Sequence, residues 1–283
     1  MGYLMIEVAG RPVQQVGSLN LESIEEEIAK RMLDTKSVYS YPTMKDLLFE
    51  LQTRRNMIES AKEMSGTKVV FTTFQYAACN PAYWELTPAG GFRLRPDVRP
   101  SEAVQDIYSN SALYAFECAT ACMIIFYHAV SKSISQSSFD SLFQDIYLYS
   151  WHADPDLAIN TFYGDHYLPG DVVYFNNPDY SSENPWYRGV NAVVLEDGQF
   201  FGHGFGISTA DKMIEFLNSV RNPDSSQPAY LSSLVTRLTF TNLMQYGAAQ
   251  RNRKFKQHIV VHHNKSSISC IRHLSYLNKG LFT

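Results

Sequence analysis

Residues 114–130, YAFECATACMIIFYHAV, form the stretch that decides the fold of this chain. Apolar residues recur in it at three- and four-residue spacing, which predicts a buried helix. An acidic residue, Glu117, stands directly before a cysteine, Cys118, at the expected start of that helix. Because the helix dipole and its unpaired N–H groups favour an anion, we expect a lowered thiol pKa at Cys118. This pattern predicts a nucleophile for acyl transfer; the alternative is a small buried cysteine that fills core space.

The composition of the whole chain is that of a globular protein. Its 283 residues are 45% hydrophobic and 18% charged, and the formal net charge is -4. This length can bury a large core in one domain or two. The charge gives no sign of a nucleic-acid partner, and no apolar run is long enough to cross a membrane. No secretory signal is visible at the N-terminus.

The cysteines indicate a reducing compartment and no metal. Four cysteines, Cys79, Cys118, Cys122 and Cys270, are too few for a disulfide scaffold in a chain of this length. Cys118 and Cys122 lie four residues apart on one helix face, so a metal or redox pair is an alternative there. No other Cys or His cluster has the spacing of a zinc site. We therefore predict neither a metal nor a cofactor.

The first half of the chain is predicted to be helical. A helix is expected over residues 21–33, and Thr43 with Asp46 three residues later predicts the start of a second, which continues to about residue 64. Ser101 is expected to cap a short helix. The Cys118 helix follows, and then another helix over residues 138–148.

The second half is predicted to contain an antiparallel sheet. Residues 171–175, DVVYF, predict a strand. Residues 191–196 and 199–207 predict a hairpin, joined by an Asp-Gly pair that is a strong turn signal. A helix is expected after it, over residues 212–220. Helices followed by a small antiparallel sheet indicate the α+β class.

The C-terminal residues differ in composition. From residue 251 onward there is no Asp or Glu, while Lys, Arg and His are frequent. We predict a single domain over residues 1–241 and a basic tail over residues 242–283. Such a tail either docks on an anionic surface or is merely solvated and loosely ordered.

His203 is the best candidate for a partner of Cys118. It lies between two glycines in the sequence FGHGFGI, on the second strand of the expected hairpin. The glycines leave room for a substrate or another chain to approach. A helix-borne cysteine facing a histidine on a small antiparallel sheet is the geometry of papain-like enzymes. The alternative is a histidine bonded within the sheet, with the glycines marking a bulge.

Several segments together resemble the small calcium-independent transglutaminases of spore-forming bacteria. They occur in family order from about Glu7 to about Thr241 and include LLFELQTRRNMIESA, FQYAACNPAYW, LYAFECATACMIIFY, PGDVVYFNNP, WYRGVN and FGHGFGI. The resemblance implies a papain-like, NlpC-type α+β core. It also implies thiolate attack on a protein Gln amide, loss of ammonia, and acyl transfer to a Lys amine, which leaves an ε-(γ-glutamyl)lysine cross-link.

The resemblance also implies roles for individual residues. Cys118 matches the family nucleophile, and Glu117 and His203 match other residues of the site. Trp186 and Asn191 match the WYRGVN segment, and we expect them to bind or orient substrate.

Val190 is the main departure from the family pattern. The family has an acidic partner of the cysteine at this position, and a valine can neither take a proton nor hold a charge. Either Glu117 and His203 do this work, or the protein is weakened or inactive. We expect that Val190→Glu raises the rate by restoring a carboxylate near the Cys118 thiol.

The resemblance further implies the setting of the reaction. We expect protein substrates that bear Gln and Lys, spore coat proteins among them, acted on by a monomer. Synthesis in the mother cell cytoplasm and delivery to the spore coat follow from the same resemblance. Two other functions stay open: an NlpC-type cysteine amidohydrolase that uses water as acceptor, and a non-catalytic coat structural protein on the same scaffold.

Overall fold

A computed structural model describes residues 6–13, 16–240, 243 and 259–260. Six α-helices are described over their whole length, and we number them in chain order. They are α1 (Ser23–Leu33), α2 (Met44–Ser65), α3 (Pro100–Ser109), α4 (Cys118–Ser133), α5 (Gln136–Leu142) and α6 (Ala210–Ser219). Short 3₁₀ turns connect several of them.

The strands of the described residues form one large sheet and four small ones. They are β1 (Ile6–Val8), β2 (Arg11–Pro12), β3 (Tyr39–Tyr41), β4 (Val70–Phe71), β5 (Trp84–Leu86), β6 (Phe92–Leu94), β7 (Ala115–Phe116), β8 (Tyr147–Leu148), β9 (His152–Ala153), β10 (Ile159–Tyr163), β11 (Val172–Asn176), β12 (Gly189–Val194), β13 (Gln199–Gly202), β14 (Gly206–Thr209), β15 (Tyr230–Leu238) and β16 (Ile259–Val260). The large sheet is antiparallel, in the order β10-β15-β11-β12-β13-β14. The predicted α+β class with a papain-like core is confirmed.

The apolar helix α4 lies in the centre of the molecule. It packs against both α2 and β12. Its residues from Ala119 to Val130 are buried, which explains why the helix is apolar on all sides. The position of Cys118 is therefore set by a helix that contacts the core along its whole length.

The predicted capping box of α2 is confirmed. The Thr43 side chain accepts a hydrogen bond from the Asp46 backbone N–H, and the Asp46 carboxylate accepts one from the Thr43 backbone N–H at 2.9 Å. Each side chain thus satisfies a donor that the first helical turn leaves unpaired.

A buried ion cluster joins α2 to the large sheet. Arg54 donates to Asp171 at 2.9 Å and to Glu50 at 2.8 Å, and Arg237 on β15 also pairs with Asp171. Burial alone would raise the pKa of Asp171, but Arg237 and Arg54 together lower it below the usual value. Because Arg54 and Asp171 are completely buried, removing either partner would leave an uncompensated charge in the core.

The predicted hairpin is confirmed, with one difference. Asp197 and Gly198 have positive φ angles of 54° and 70° in the turn between β12 and β13, as a two-residue hairpin of this type requires. The second strand, however, ends at Gly202. His203 lies in a tight turn, where Gly204 has a φ of 91°. The glycines that flank this histidine therefore form a turn between two strands.

Two helix boundaries predicted from the sequence were wrong. Ser101 lies inside the first turn of α3, whose N-cap is Arg99, because Pro100 already has the φ angle that suits the first helical position. The helix predicted over residues 138–148 ends at Leu142, and Tyr147–Leu148 form β8. The aromatic and aliphatic residues there pair with β6 rather than continue the helix.

Most of the predicted basic tail, including Cys270, lies outside the described residues. The exceptions are Leu243, which is buried in the main core, and Ile259 and Val260, which pair antiparallel with β9. The domain boundary near residue 241 stays a prediction. None of the helices in the described ranges is long and apolar enough to cross a membrane.

Candidate active site

A small cavity lies at the N-terminus of α4. It encloses about 40 Å³. The lining comes from the end of β4 and the segment after it, from the start of α4, and from β11 and β12 with the turn before β12. The lining residues are Phe71, Thr72, Thr73, Phe74, Glu117, Cys118, Tyr174, Trp186, Gly189 and Asn191. Aromatic rings form much of the wall. A polar group that enters the cavity would therefore lose its hydrogen bonds to water and could form new ones only with the few polar side chains there.

The helix begins at Cys118, and Glu117 is its N-cap. The Glu117 carboxylate accepts hydrogen bonds from the backbone N–H of Ala119 at 2.6 Å and of Thr120 at 2.7 Å. The Thr120 hydroxyl donates to the same carboxylate at 2.8 Å. The carboxylate therefore occupies the position at the helix N-terminus where an anion is most stable.

The expectation of a lowered thiol pKa at Cys118 was wrong. Burial, followed by the nearby Glu117 carboxylate, raises the pKa of this thiol to about 12. The physical reason is that Glu117, and not the sulfur, binds the free N–H groups of the helix. A thiolate at Cys118 would be a second anion beside the first, in a site with little water. The thiol is therefore protonated at neutral pH.

Two polar groups act on the Cys118 thiol. The Glu117 carboxylate lies beside it, and its negative charge helps to raise the thiol pKa. The side-chain amide of Asn191 donates to Sγ at 3.3 Å and acts in the opposite direction, lowering the thiol pKa. The sulfur thus has a proton acceptor on one side and a hydrogen-bond donor for developing negative charge on the other.

Asn191 is brought to Cys118 by the register of the sheet. On β12 it lies directly opposite Tyr174 of β11, and both side chains line the cavity. Gly189, two residues earlier on the same face, leaves space for the Tyr174 ring, since a Cβ atom at this position would clash with the tyrosine hydroxyl. The sequence Gly-Val-Asn therefore places its first and third residues at the cavity.

The expectation that residue 190 lies near the thiol was wrong. Successive side chains of a strand point to opposite faces of the sheet. Val190 packs against Gly202 on the face away from the cavity. It is buried there in an apolar cluster that also contains Phe175, Phe200 and Met213. A side chain at this position contacts the layer between the sheet and α6, whereas Asn191 is the residue that reaches Cys118.

His203 is close to the cavity and does not line it. Its ring packs against Phe116 at 5.0 Å and against Phe71 at 5.8 Å, measured between centroids. Burial lowers the pKa of His203 to about 4, although backbone groups of Phe116 and Val70 oppose the shift. This imidazole is neutral at pH 7. The structure therefore brings together Cys118, Glu117, Asn191 and Trp186, and separates His203 from them by aromatic rings.

Several lining residues were not predicted from the sequence. Tyr174 could have been found, because the expected hairpin and the strand before it place Tyr174 and Asn191 in neighbouring strands. Phe71 lies outside the segments that carried the resemblance, and Phe74 lies in one of them, FQYAACNPAYW, without an assigned site role. They reach the cavity because β4 pairs in parallel with β7, the strand that leads into α4.

Comparison with known proteins agrees with this geometry. A family model, TGL, described as protein-glutamine gamma-glutamyltransferase, matches residues 5–247. The chain belongs to the protein-glutamine gamma-glutamyltransferase family. This transglutaminase is 53% identical over 280 residues to a protein-glutamine gamma-glutamyltransferase of Halalkalibacterium halodurans, with 98% of each chain covered.

Two further relatives match a shorter part of this transglutaminase. A protein-glutamine gamma-glutamyltransferase of Bacillus licheniformis is 41% identical over 244 residues, which are 85% of this chain and 99% of the relative. A solved transglutaminase from Geobacillus stearothermophilus, without its C-terminal extension, has a TM-score of 0.70 and 43% identity. It covers 75% of this chain and 100% of its own.

Proposed function

We propose that this transglutaminase joins Gln and Lys side chains of other proteins through a thioester on Cys118. The observation that carries the proposal is the placement of the Cys118 thiol between the Glu117 carboxylate and the Asn191 amide. A nucleophile, a base in contact with it and a donor for the negative charge are what amide cleavage by a thiol needs. Trp186 and the neighbouring rings line the same cavity.

The first half of the reaction forms the acyl-enzyme. Because the thiol pKa is about 12, we expect the Cys118 proton to move to Glu117 as sulfur attacks the carbonyl carbon of the Gln amide. Asn191 donates to the sulfur while its charge develops. The tetrahedral intermediate then collapses, Glu117 returns the proton to the amide nitrogen, and ammonia leaves. The product is a thioester between Cys118 and the former Gln side chain.

The second half transfers the acyl group. A neutral Lys amine attacks the thioester carbon, and Glu117 takes a proton from the amine nitrogen. The carbon–sulfur bond then breaks, the proton returns to Cys118, and an ε-(γ-glutamyl)lysine bond remains. With water in place of the amine, the same steps would release a Glu side chain, which is the hydrolase alternative.

Amine incorporation into a Gln-rich protein tests this proposal. A fluorescent primary amine should become covalently attached, and Cys118→Ala should abolish the attachment while the fold survives. Glu117→Gln keeps the size of the side chain and removes the base, so it should slow both halves of the reaction by about 10²–10⁴-fold. Ammonia release without amine attachment would favour a hydrolase, and a folded parent without either activity would favour a structural protein.

The substrates and the setting are also part of the proposal. On the sequence resemblance, we propose that the substrates are spore coat proteins and that the enzyme is made in the mother cell cytoplasm and works in the coat. A fluorescent fusion followed through sporulation tests this, and a signal that stays in the mother cell cytoplasm would contradict it. Light scattering on the purified enzyme tests the expected monomer.

We further propose that activity needs no calcium. The described residues include no group of three or more His, Cys, Asp or Glu side chains placed to hold a metal ion. Amine incorporation should therefore persist in a chelator. Loss of activity in the chelator that added calcium restores would contradict this part of the proposal.

A further inference from the structure

We infer that Thr120 is a positioning residue for the reaction, holding the Glu117 carboxylate in place for proton exchange with Cys118. This inference rests on the role proposed above for Glu117. Thr120 lies in the first turn of α4 and is buried, with 3% of its surface exposed. It contacts the carboxylate through both its backbone N–H, at 2.7 Å, and its hydroxyl, at 2.8 Å.

The direction of the Thr120 hydroxyl proton follows from its second partner. The backbone N–H of Ser150 donates to Thr120 Oγ1 at 3.0 Å. An N–H group can only donate, so the hydroxyl oxygen is the acceptor in that bond. The hydroxyl has a single proton, and Glu117 Oε1 is the acceptor in reach. Thr120 therefore gives a hydrogen bond to the carboxylate in a fixed orientation.

Ser150 holds an unusual backbone conformation to make this contact. Its φ angle is 50°, in the left-handed region that non-glycine residues rarely adopt. It is buried in the turn between β8 and β9, which lies against the N-terminal turn of α4. Conformations of this kind cost free energy and persist where the surroundings support them. The contact thus links the carboxylate to a rigid turn outside the helix.

Three hydrogen bonds to one carboxylate have a chemical consequence. Donors that contact the ionised form stabilise it relative to the protonated form. Removing the Thr120 hydroxyl takes away one of these three donors and leaves the Ser150 N–H without an acceptor. The carboxylate would then be protonated over more of the acid range and would be free to rotate, so fewer molecules would have the base in the active orientation.

The other titratable groups near Glu117 stay neutral around pH 7. Cys118 is the thiol partner, with a pKa raised to about 12. On β11, burial raises the pKa of Tyr174 above its usual value. His203 packs on the far side of Phe116, with a pKa lowered to about 4. Because the titration of the substrate amine is the same for every variant, a difference between variants in the acid limb of the pH–rate profile reports on Glu117.

The test compares Thr120→Val, Thr120→Ser and Thr53→Val by amine incorporation from pH 3 to 9. Valine keeps the shape of threonine and removes the hydroxyl. We expect Thr120→Val to lower kcat by about 10- to 100-fold, the usual worth of a hydrogen bond to a charged group, with KM little changed. The acid limb should move up by about one pH unit. Thr120→Ser keeps the hydroxyl, so its kcat and its acid limb should stay close to those of the parent.

Thr53→Val is the matched control. Thr53 is also a buried helix threonine, but its hydroxyl donates to the Phe49 carbonyl in α2, away from the cavity. It should leave kcat and the acid limb unchanged. If Thr120→Val does not fold, Thr120→Ala removes the same hydroxyl and takes its place.

The outcomes separate this inference from the role of Glu117. An unchanged kcat and acid limb in Thr120→Val would overturn the inference, as would an equal loss in Thr53→Val or a failure of Thr120→Ser to restore activity. If Glu117→Gln is impaired while Thr120→Val is normal, only the role of Thr120 is wrong. A fully active Glu117→Gln would instead refute the proposed base and the inference with it.

Discussion

Replacing Val190 with glutamate should destabilise this transglutaminase and should not raise its rate. Val190 is 2% exposed and packs in the apolar cluster beneath α6, on the opposite sheet face from Cys118. A carboxylate at that position would find Phe175, Phe200 and Met213 as neighbours. It would lie on the wrong face of β12 to exchange a proton with the thiol.

The expected cost follows from the pKa of a buried glutamate. Such a group stays protonated up to about pH 8–9, whereas the unfolded chain ionises it near pH 4.3. Each pH unit between the two values costs about 1.4 kcal/mol, so the penalty at pH 7 is about 4 kcal/mol. This loss of stability is absent below about pH 4, and it grows as the pH rises towards the pKa of the glutamate in the folded protein. Most domains have a free energy of unfolding of about 5–15 kcal/mol, so the variant should still fold, but it should unfold at a lower urea concentration than the parent.

Urea unfolding at pH 4.5 and pH 7 measures this penalty, with amine incorporation in parallel. Val194→Glu is a matched control, since Val194 is completely buried in the same cluster and on the same strand face. It should show the same loss at pH 7. Asn191→Asp places a carboxylate on the Cys118 face instead, so it should change the rate more than the stability. A Val190→Glu variant as stable as the parent and faster would refute this reasoning.

The remaining predictions concern other titratable and buried groups. Alkylation of Cys118 by iodoacetamide should speed up about tenfold per pH unit from pH 7 to 10, because its pKa is near 12; a plateau below pH 8 would contradict this. Cys122→Ala, one turn deeper in the core, should cost about 1 kcal/mol in urea unfolding and keep most of the activity; a severe loss of rate would assign Cys122 to the reaction. Burial lowers the pKa of His203 to about 4 and of His128 to about 3. Below pH 6.5 the unfolded chain therefore binds more protons than the folded protein. The free energy of unfolding should therefore fall as pH drops from 6.5 to 4, and His128→Gln should weaken that dependence.

Local patterns were enough to predict the helix that begins at Cys118. The apolar spacing after Cys118 is a property of neighbouring residues, and so is the capping box at Thr43. The Asp-Gly turn at residue 197 was predicted for the same reason, since a two-residue hairpin depends on backbone preferences within a few positions. The charge state of Cys118 could not be predicted in this way. It depends on which group accepts hydrogen bonds from the N–H groups of the first helical turn, and Glu117 accepts them.

The sequence by itself determined the helical first half, the antiparallel sheet, the cysteine at a helix start and the family pattern. These follow from residue spacing and composition, which act over short distances along the chain. Only the tertiary structure decided that Asn191 faces the thiol while Val190 faces the opposite core. A shift of one residue in the pairing of β11 and β12 would exchange those two positions, because side chains alternate along a strand. Strand register is set by packing between distant segments, and the composition of the active site follows from it.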